Sequence, residues 1–183
     1  MPQDLRRQAL ASVLPQDYRL DRLGVTIRAA EPSDLPTISC LRSDEPERAR
    51  RRLDSQESGH VLYLLALINN LPVGTALLHW QSITRVPVGA SVSDLYVIPQ
   101  LRGLGIGTQL LKTSEALARA AGLHQISLAV NPTENRRVRH YYERLGYRDP
   151  GGQTYLNATY TRVDENGNEY VFEDWVVDMV KRL

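Results

Sequence analysis

The sequence predicts a single α/β domain: a mixed, mostly antiparallel twisted sheet flanked by helices. Three observations predict it. The chain has 183 residues, a length that suits one domain with a sizeable core. Three strand-like runs, "HVLYLLALI", "LPVGTALLHW" and "ASVSDLYVI", follow one another over short connections, which makes an antiparallel meander. Helical and strand periods then alternate through "TQLLKTSEALARAAG", "QISLAV" and "NRRVRHYYERLGY".

Taken in order, residues 1–24 carry Asp4, Asp17 and Asp21 and lack a signal peptide's apolar core; they read as an N-terminal extension to a domain spanning 25–183. A short strand at Val25–Arg28 runs into a helix whose first N–H groups Ser33 or Asp34 can cap, with Pro36 suited to its first turn. "PERARRRLD" is a second helical stretch, its arginines either a solvated face or a binding patch. Asn69–Asn70 supplies the turn between the first two meander strands. The helix after the meander runs to about Ala121, where Gly122 can adopt the left-handed conformation that ends it. In "QISLAV", Ile126, Leu128 and Val130 alternate onto one face. Val138, Tyr141, Tyr142 and Leu145 form a helical stripe ended by Gly146. "TYLNATYTRV" and "EYVFEDWVVDMV" flank "DENGN" as a hairpin with a longer turn.

Composition narrows the function. A formal net charge of +1 argues against a general nucleic-acid binder, which is usually strongly basic. The longest apolar run, Val61–Ile68, falls far short of the ~20 residues that span a bilayer. The single cysteine, Cys40, excludes an internal disulfide framework and most cysteine-based metal sites; it reads as a small buried thiol, with a nucleophilic role as the alternative, in a reducing cytoplasm. No metal-ligand pattern stands out.

"PQLRGLGIGTQLL" is the chemically loaded stretch. Gly103, Gly105 and Gly107 alternate behind Arg102 and lead directly into a helix, although glycine costs about 1 kcal/mol against alanine inside one. A helix start exposes N–H groups without intrahelical partners at the positive end of the dipole, where phosphate binds readily. Glycines remove β-carbons and let successive N–H groups turn inward. The physical reading is a pyrophosphate cradle between strand and helix, to which Arg102 can add a guanidinium. A P-loop needs a lysine before Thr108, and a dinucleotide fingerprint needs a different glycine spacing within a βαβ unit. Neither fits.

Those residues carry a resemblance. "DLYVIPQLRGLGIGTQLL" is similar to the acetyl-CoA signature of the GNAT-type N-acetyltransferases, R/Q-x-x-G-x-G/A, here Arg102-Gly103-Leu104-Gly105-Ile106-Gly107, with Thr108 next. "NRRVRHYYERLGY" resembles that family's second landmark, an asparagine seven residues before a tyrosine, here Asn135 and Tyr142. The resemblance covers about Val25–Tyr147. It implies a GNAT-like fold in which "SDLYVI" and "QISLAV" splay apart and receive the pantetheine arm of acetyl-CoA, with an N–H near Val97 or Ile98 as the oxyanion donor. It also implies direct acetyl transfer to an amine in a ternary complex, with no metal.

Within that resemblance, Tyr142 matches the general acid, its other reading being a core aromatic beside Tyr141. Asn135 matches a pantetheine or backbone contact, or is a plain first-turn polar residue. Asp94 stands where the family often has a basic carboxylate, and alternation puts it on one face with Tyr96, Leu95 and Val97 on the other; an exposed strand-edge aspartate is the competing reading. His79 and His140 are lesser candidates. "QISLAV" has no glutamate, which weakens an N-terminal acetyltransferase assignment. The expected function is acetylation of a small primary amine, with a cationic acceptor if the acids of the tail (Asp164, Glu165, Glu169, Glu173, Asp174, Asp178) face the groove. Acetylation of a protein N-terminus or lysine, and a non-catalytic acyl-CoA sensor, are the alternatives; a homodimer is compatible with all three.

Overall fold

A computed structural model describes residues 1–20, 23–41, 46–86, 89–133 and 136–183. In chain order the elements are α1 (Gln3–Val13), β1 (Gln16–Leu20), β2 (Leu23–Ala29), α2 (Leu35–Leu41), α3 (Pro46–Glu57), β3 (Val61–Ile68), β4 (Leu71–His79), β5 (Ala90–Val97), α4 (Ile106–Ala120), β6 (Gln125–Val130), α5 (Arg136–Arg144), β7 (Tyr155–Val163) and β8 (Glu169–Arg182). The strands lie in the order β1-β2-β3-β4-β5-β6-β8-β7. Every neighbouring pair is antiparallel except β5 and β6.

β3 shows why this order holds together. Seven of its eight residues are buried, because helices cover both faces of the sheet there. Leu62, Leu64 and Ala66 join the larger core with Ile27, Leu78, Leu110, Leu111 and Leu117 on the α4 side. Tyr63, Leu65 and Leu67 join Ile38, Ala49 and Leu77 under α2 and α3. A run without polar alternation is the mark of such a doubly covered strand. Each of these large apolar side chains contributes roughly 1.5–3 kcal/mol on burial. Asn69 and Asn70 have φ of +50° and +63°, the paired left-handed conformation of a two-residue hairpin whose twist matches its strands. Gly122 and Gly146, with φ of +78° and +93°, stand just past α4 and α5.

Residues 1–20 fold onto the same sheet. Ala9 of α1 is buried in the larger core, β1 pairs with β2, and the Tyr18 hydroxyl lies 3.1 Å from Thr113 Oγ1 on α4. Asp34 acts differently from a simple helix cap: it accepts the Glu31 N–H at 2.8 Å and holds the Arg28 guanidinium through both carboxylate oxygens. This ties the end of β2 to the entry of α2.

Candidate active site

β5 and β6 pair only at Ala90↔Ile126 and Ser91↔Ser127. Beyond these they diverge, as the splayed-strand reading expects. The opening is a cavity of about 260 Å³ lined by Ser93, Asp94 and Leu95 on one side and Leu128–Asn131 on the other, with Tyr142 and Asp174 at its borders. A bulge in β5 helps to set it: Ser93 pairs with Leu77 and Tyr96 with Thr75, so β5 has one residue more than β4 over this stretch. Asp94 takes the strain with a φ of +53°. The expected alternation holds from Asp94 onward. Asp94 reaches Arg52 on α3, and Tyr96 lies near Ile38, Ala49 and Tyr63, whereas Leu95 and Val97 pack toward the larger core. Ser93 also faces the α3 side, through His79.

β5 hands over to α4 through a tight turn at Pro99–Leu101. The Ile98 N–H donates to the Val73 carbonyl at 3.0 Å. By antiparallel alternation this turns the Val97 N–H away from β4, toward the side where β6 has diverged. Gly103 and Gly105 have φ of +82° and +87°, and Gly105 caps α4. The Gln109 N–H bonds back to the Gly105 carbonyl, so the N–H groups of Ile106, Gly107 and Thr108 precede the helix's own ladder. A β-carbon at Gly107 would stand 3.6 Å from the Tyr141 hydroxyl, 3.7 Å from Val97 Cγ2 and 4.0 Å from Leu95 Cδ2. These are ordinary contact distances, so the first turn of α4 lies directly against β5 and α5. Leu104 is exposed on the loop. Arg102 Nε donates to the Val97 carbonyl at 2.9 Å and its guanidinium lies 5.7 Å from the Tyr96 ring.

Three tyrosines join this region to α5. The Tyr141 hydroxyl is 3.2 Å from Thr108 Oγ1. Tyr147 is fully buried and donates to Glu115 Oε1 at 3.1 Å, while Lys181 Nζ donates to Glu115 Oε2 at 2.6 Å. Tyr142 sits between them, with ring centroids 5.3 Å from Tyr141 and 5.9 Å from Tyr147. It is only 8% exposed, yet among the described residues its hydroxyl has no hydrogen-bond partner. Burial, with Tyr141 beside it, pushes the phenol well above its usual range, so Tyr142 keeps its proton at any working pH. Asn135, the other landmark of this segment, lies outside the described residues.

On the opposite side of the sheet, Arg52 forms an ion pair with Asp94, with its guanidinium 5.5 Å from the Tyr63 ring. His79 Nε2 is 2.8 Å from Ser93 Oγ, and burial draws the imidazole down to about 4. It is neutral at pH 7. His140 lies on the outer surface of α5 beside Glu143. Of the six tail acids, Asp174 is the one that lines the cavity among the described residues, and it accepts from Asn157 and Asn131. Asp178 is buried, accepting from the Tyr155 hydroxyl and the Arg85 N–H. Asp164 bonds amides of its own turn, and Glu173 accepts from Trp175 Nε1. Sequence reading missed Arg52, Asn131 and Asn157. Ala49, three residues before Arg52, is buried and marks the sheet-facing side of α3, which the arginine-rich sequence of that helix does not single out.

A model of the Acetyltransferase (GNAT) family matches residues 28–147. An aminoalkylphosphonate N-acetyltransferase of Salmonella typhimurium is 37% identical over 90 residues, 49% of this chain and 58% of that protein. A thialysine N-epsilon-acetyltransferase of Mus musculus is 35% identical over 80 residues, 44% of this chain and 46% of that one. The chain thus spans about half the length of the curated relatives it matches. Among solved structures, the GNAT domain of S. lividans PAT superposes with a TM-score of 0.64 at 18% identity, covering 100% of this chain and 99% of that one. A GNAT family acetyltransferase from Elizabethkingia anophelis with acetyl-CoA bound gives 0.58 at 19% identity, covering 87% and 98%. At these identities the two structures establish a shared fold.

Proposed function

The chain belongs to the GNAT acetyltransferase family, and from that premise we propose that it transfers the acetyl group of acetyl-CoA directly to a small primary amine. One observation carries the reading. Diverging strands and the buried Tyr142, whose hydroxyl has no hydrogen-bond partner among the described residues, meet at one cavity, and the glycine-opened start of α4 packs against the same strand β5. The cavity also fits the donor: Gly103–Thr108 can receive the pyrophosphate on backbone N–H groups, and the open edges of β5 and β6 can pair with the pantetheine amides as an added strand would. Bound there, acetyl-CoA supplies an activated acyl thioester.

The chain's own groups then have separate tasks. The Val97 N–H is the oxyanion donor, a contribution typically of about 2.7–4 kcal/mol. Ile98 cannot share it, because its N–H is spent on Val73. Tyr142 holds a proton for the departing thiolate. Arg102 fastens the end of β5 to the cradle. The amine must lose a proton first: for a lysine-like amine with a pKa of about 10.4, reaching the neutral form at pH 7 costs about 4.6 kcal/mol. Asp174 at the rim attracts the ammonium, and the Asp94 carboxylate at the bulge, held by Arg52, takes its proton through water. With a value of about 4, His79 is a poor proton acceptor at neutral pH.

Both curated relatives are named for small amines, which supports the small-molecule acceptor. No helix of the described residues is long and apolar enough to cross a membrane. We place the reaction in the cytoplasm, with acetyl-CoA, the amine and a second copy of the chain as partners, and with no nucleic-acid or membrane partner. The test is release of free CoA with a panel of small amines, N-terminal peptides and lysine peptides. Amine-dependent release is expected with small amines. Peptide-only release overturns the acceptor class, and acetyl-CoA binding without release from any amine overturns the enzyme.

A further inference from the structure

We propose, on the reading that acetyl-CoA lies at the start of α4, that Arg137 and its neighbour Arg136 form a second anion site beside the glycine turn, which takes the phosphate monoester on the ribose of the donor. The packing of α5 against α4 supplies the geometry. The Tyr141 hydroxyl is 3.2 Å from Thr108 Oγ1 in the first turn of α4. Tyr147, just past α5, reaches Glu115, seven residues beyond Thr108. From Tyr141 to Tyr147 the chain thus advances along α4 from its start towards its middle, and the turn before Tyr141 lies ahead of that start. Arg137 is one helical turn before Tyr141 on nearly the same stripe. The free N–H groups of α4 point into the same space.

The placement of charge calls for an anion there. The first turn of α5 has no acidic residue and opens with Arg136 and Arg137. Two adjacent cations at the positive end of a helix dipole oppose it. Their neighbours on the helix are satisfied: Arg139 pairs with Glu143 and Asp149, and Glu143 also holds His140. Arg136 and Arg137 are exposed and make no ion pair or hydrogen bond among the described residues. A bound phosphate offsets both the dipole and the mutual repulsion, and its oxygens match the fork of an arginine.

The order of side chains around α5 selects which phosphate. Val138 and Tyr142 line the cavity between the strands, where the pantetheine arm is received. Tyr141 follows, at the helix start that takes the pyrophosphate. Helical spacing puts Arg137 on the far side of Tyr141 from Val138 and Tyr142. An extended donor presents its thioester, pantetheine, pyrophosphate and ribose phosphate in that same order. The pyrophosphate has the N–H groups of Ile106, Gly107 and Thr108. The monoester, with a charge of about −1.5 to −2 at pH 7, is left to the two arginines.

Calorimetric titration of the full chain with CoA and with 3′-dephospho-CoA tests this without turnover. Wild type should bind CoA about tenfold more tightly than the dephospho form. Arg137→Ala should weaken CoA by about fivefold or more at low salt and change dephospho-CoA by less than about twofold. The R136A/R137A chain should lose the preference altogether. Arg137→Lys keeps the charge and should retain an intermediate preference; it serves if an alanine variant fails to fold by circular dichroism. Equal wild-type affinity for the two forms, a preference that survives R136A/R137A, or a loss in R137A shared equally by both forms overturns the proposal. Binding of neither form overturns the donor reading itself, and this proposal with it.

Discussion

Replacing Tyr142 by phenylalanine separates chemistry from packing at the centre of the site. The ring contacts at 5.3 Å and 5.9 Å are kept. No hydrogen bond is lost, since the hydroxyl has no partner among the described residues, and Tyr142 lines the cavity. The expected stability change is therefore within about 0.5 kcal/mol, or about 2 °C in Tm for a chain of this size. Catalysis should respond very differently. A positioned general acid is worth about 10²–10⁴ in rate, which is about 2.7–5.4 kcal/mol of barrier at 1.36 kcal/mol per decade. Turnover followed by thiol titration of released CoA should thus fall by at least about a hundredfold, with the acetyl-CoA KM nearly unchanged. Burial holds the hydroxyl above its ordinary range, so wild-type kcat should show no descending limb from this group up to about pH 9. A variant that keeps turnover within about threefold of wild type, or that melts many degrees lower with normal turnover, would return Tyr142 to the core and refute the assignment.

Three further outcomes follow from neighbouring geometry. Gly107→Asp puts a carboxylate beside Val97 and the first-turn N–H groups in a space that a β-carbon enters at ordinary contact distance; calorimetry should show acetyl-CoA affinity reduced by about a hundredfold or more in a protein that is still folded. Tyr147→Phe removes the hydrogen bond to buried Glu115 and should cost about 1–3 kcal/mol in urea unfolding. If Tyr147 acts on turnover by positioning Tyr142, its effect on kcat should vanish in the Tyr142→Phe background. His79, drawn from 6.5 down to about 4 by burial, is neutral in the folded chain while the unfolded chain takes up the proton first. Its stabilising contribution is present above pH 6.5 and is lost as pH falls toward 4. About 2 kcal/mol should disappear between pH 7 and pH 5, and His79→Gln should remove that part of the slope.

Much of the fold was legible because local signals and tertiary needs agree. The unbroken apolar run of β3 announces a strand, Asn69–Asn70 provides the turn's backbone angles, and the glycines before α4 mark a strand-to-helix turn with left-handed backbone. Features that depend on pairing were not legible. The bulge beside Asp94 exists only relative to Thr75 and Leu77 on β4, and no glycine or proline marks it. Arg52 is one arginine among several in α3, and only the sheet beneath that helix distinguishes it. That Arg102 Nε also holds the Val97 carbonyl at the end of β5 could not be read from the glycine pattern. The tail acids looked like one field in sequence, yet strand alternation disperses them and leaves Asp174 at the cavity. α1 and β1 are short and polar, and their stability comes from α4 and β2 rather than from their own pattern.

The central claim is that acetyl-CoA lies between the diverged strands with its pyrophosphate on the start of α4. Amide-resolved NMR of the protein, titrated with acetyl-CoA, reads this directly. Binding should shift the Val97 amide together with those of Gly103–Thr108, and slow their hydrogen exchange, while amides of the β1–β2 hairpin remain unmoved. Saturable binding that leaves Val97 and the first turn of α4 unshifted, or no binding at all, would contradict the account.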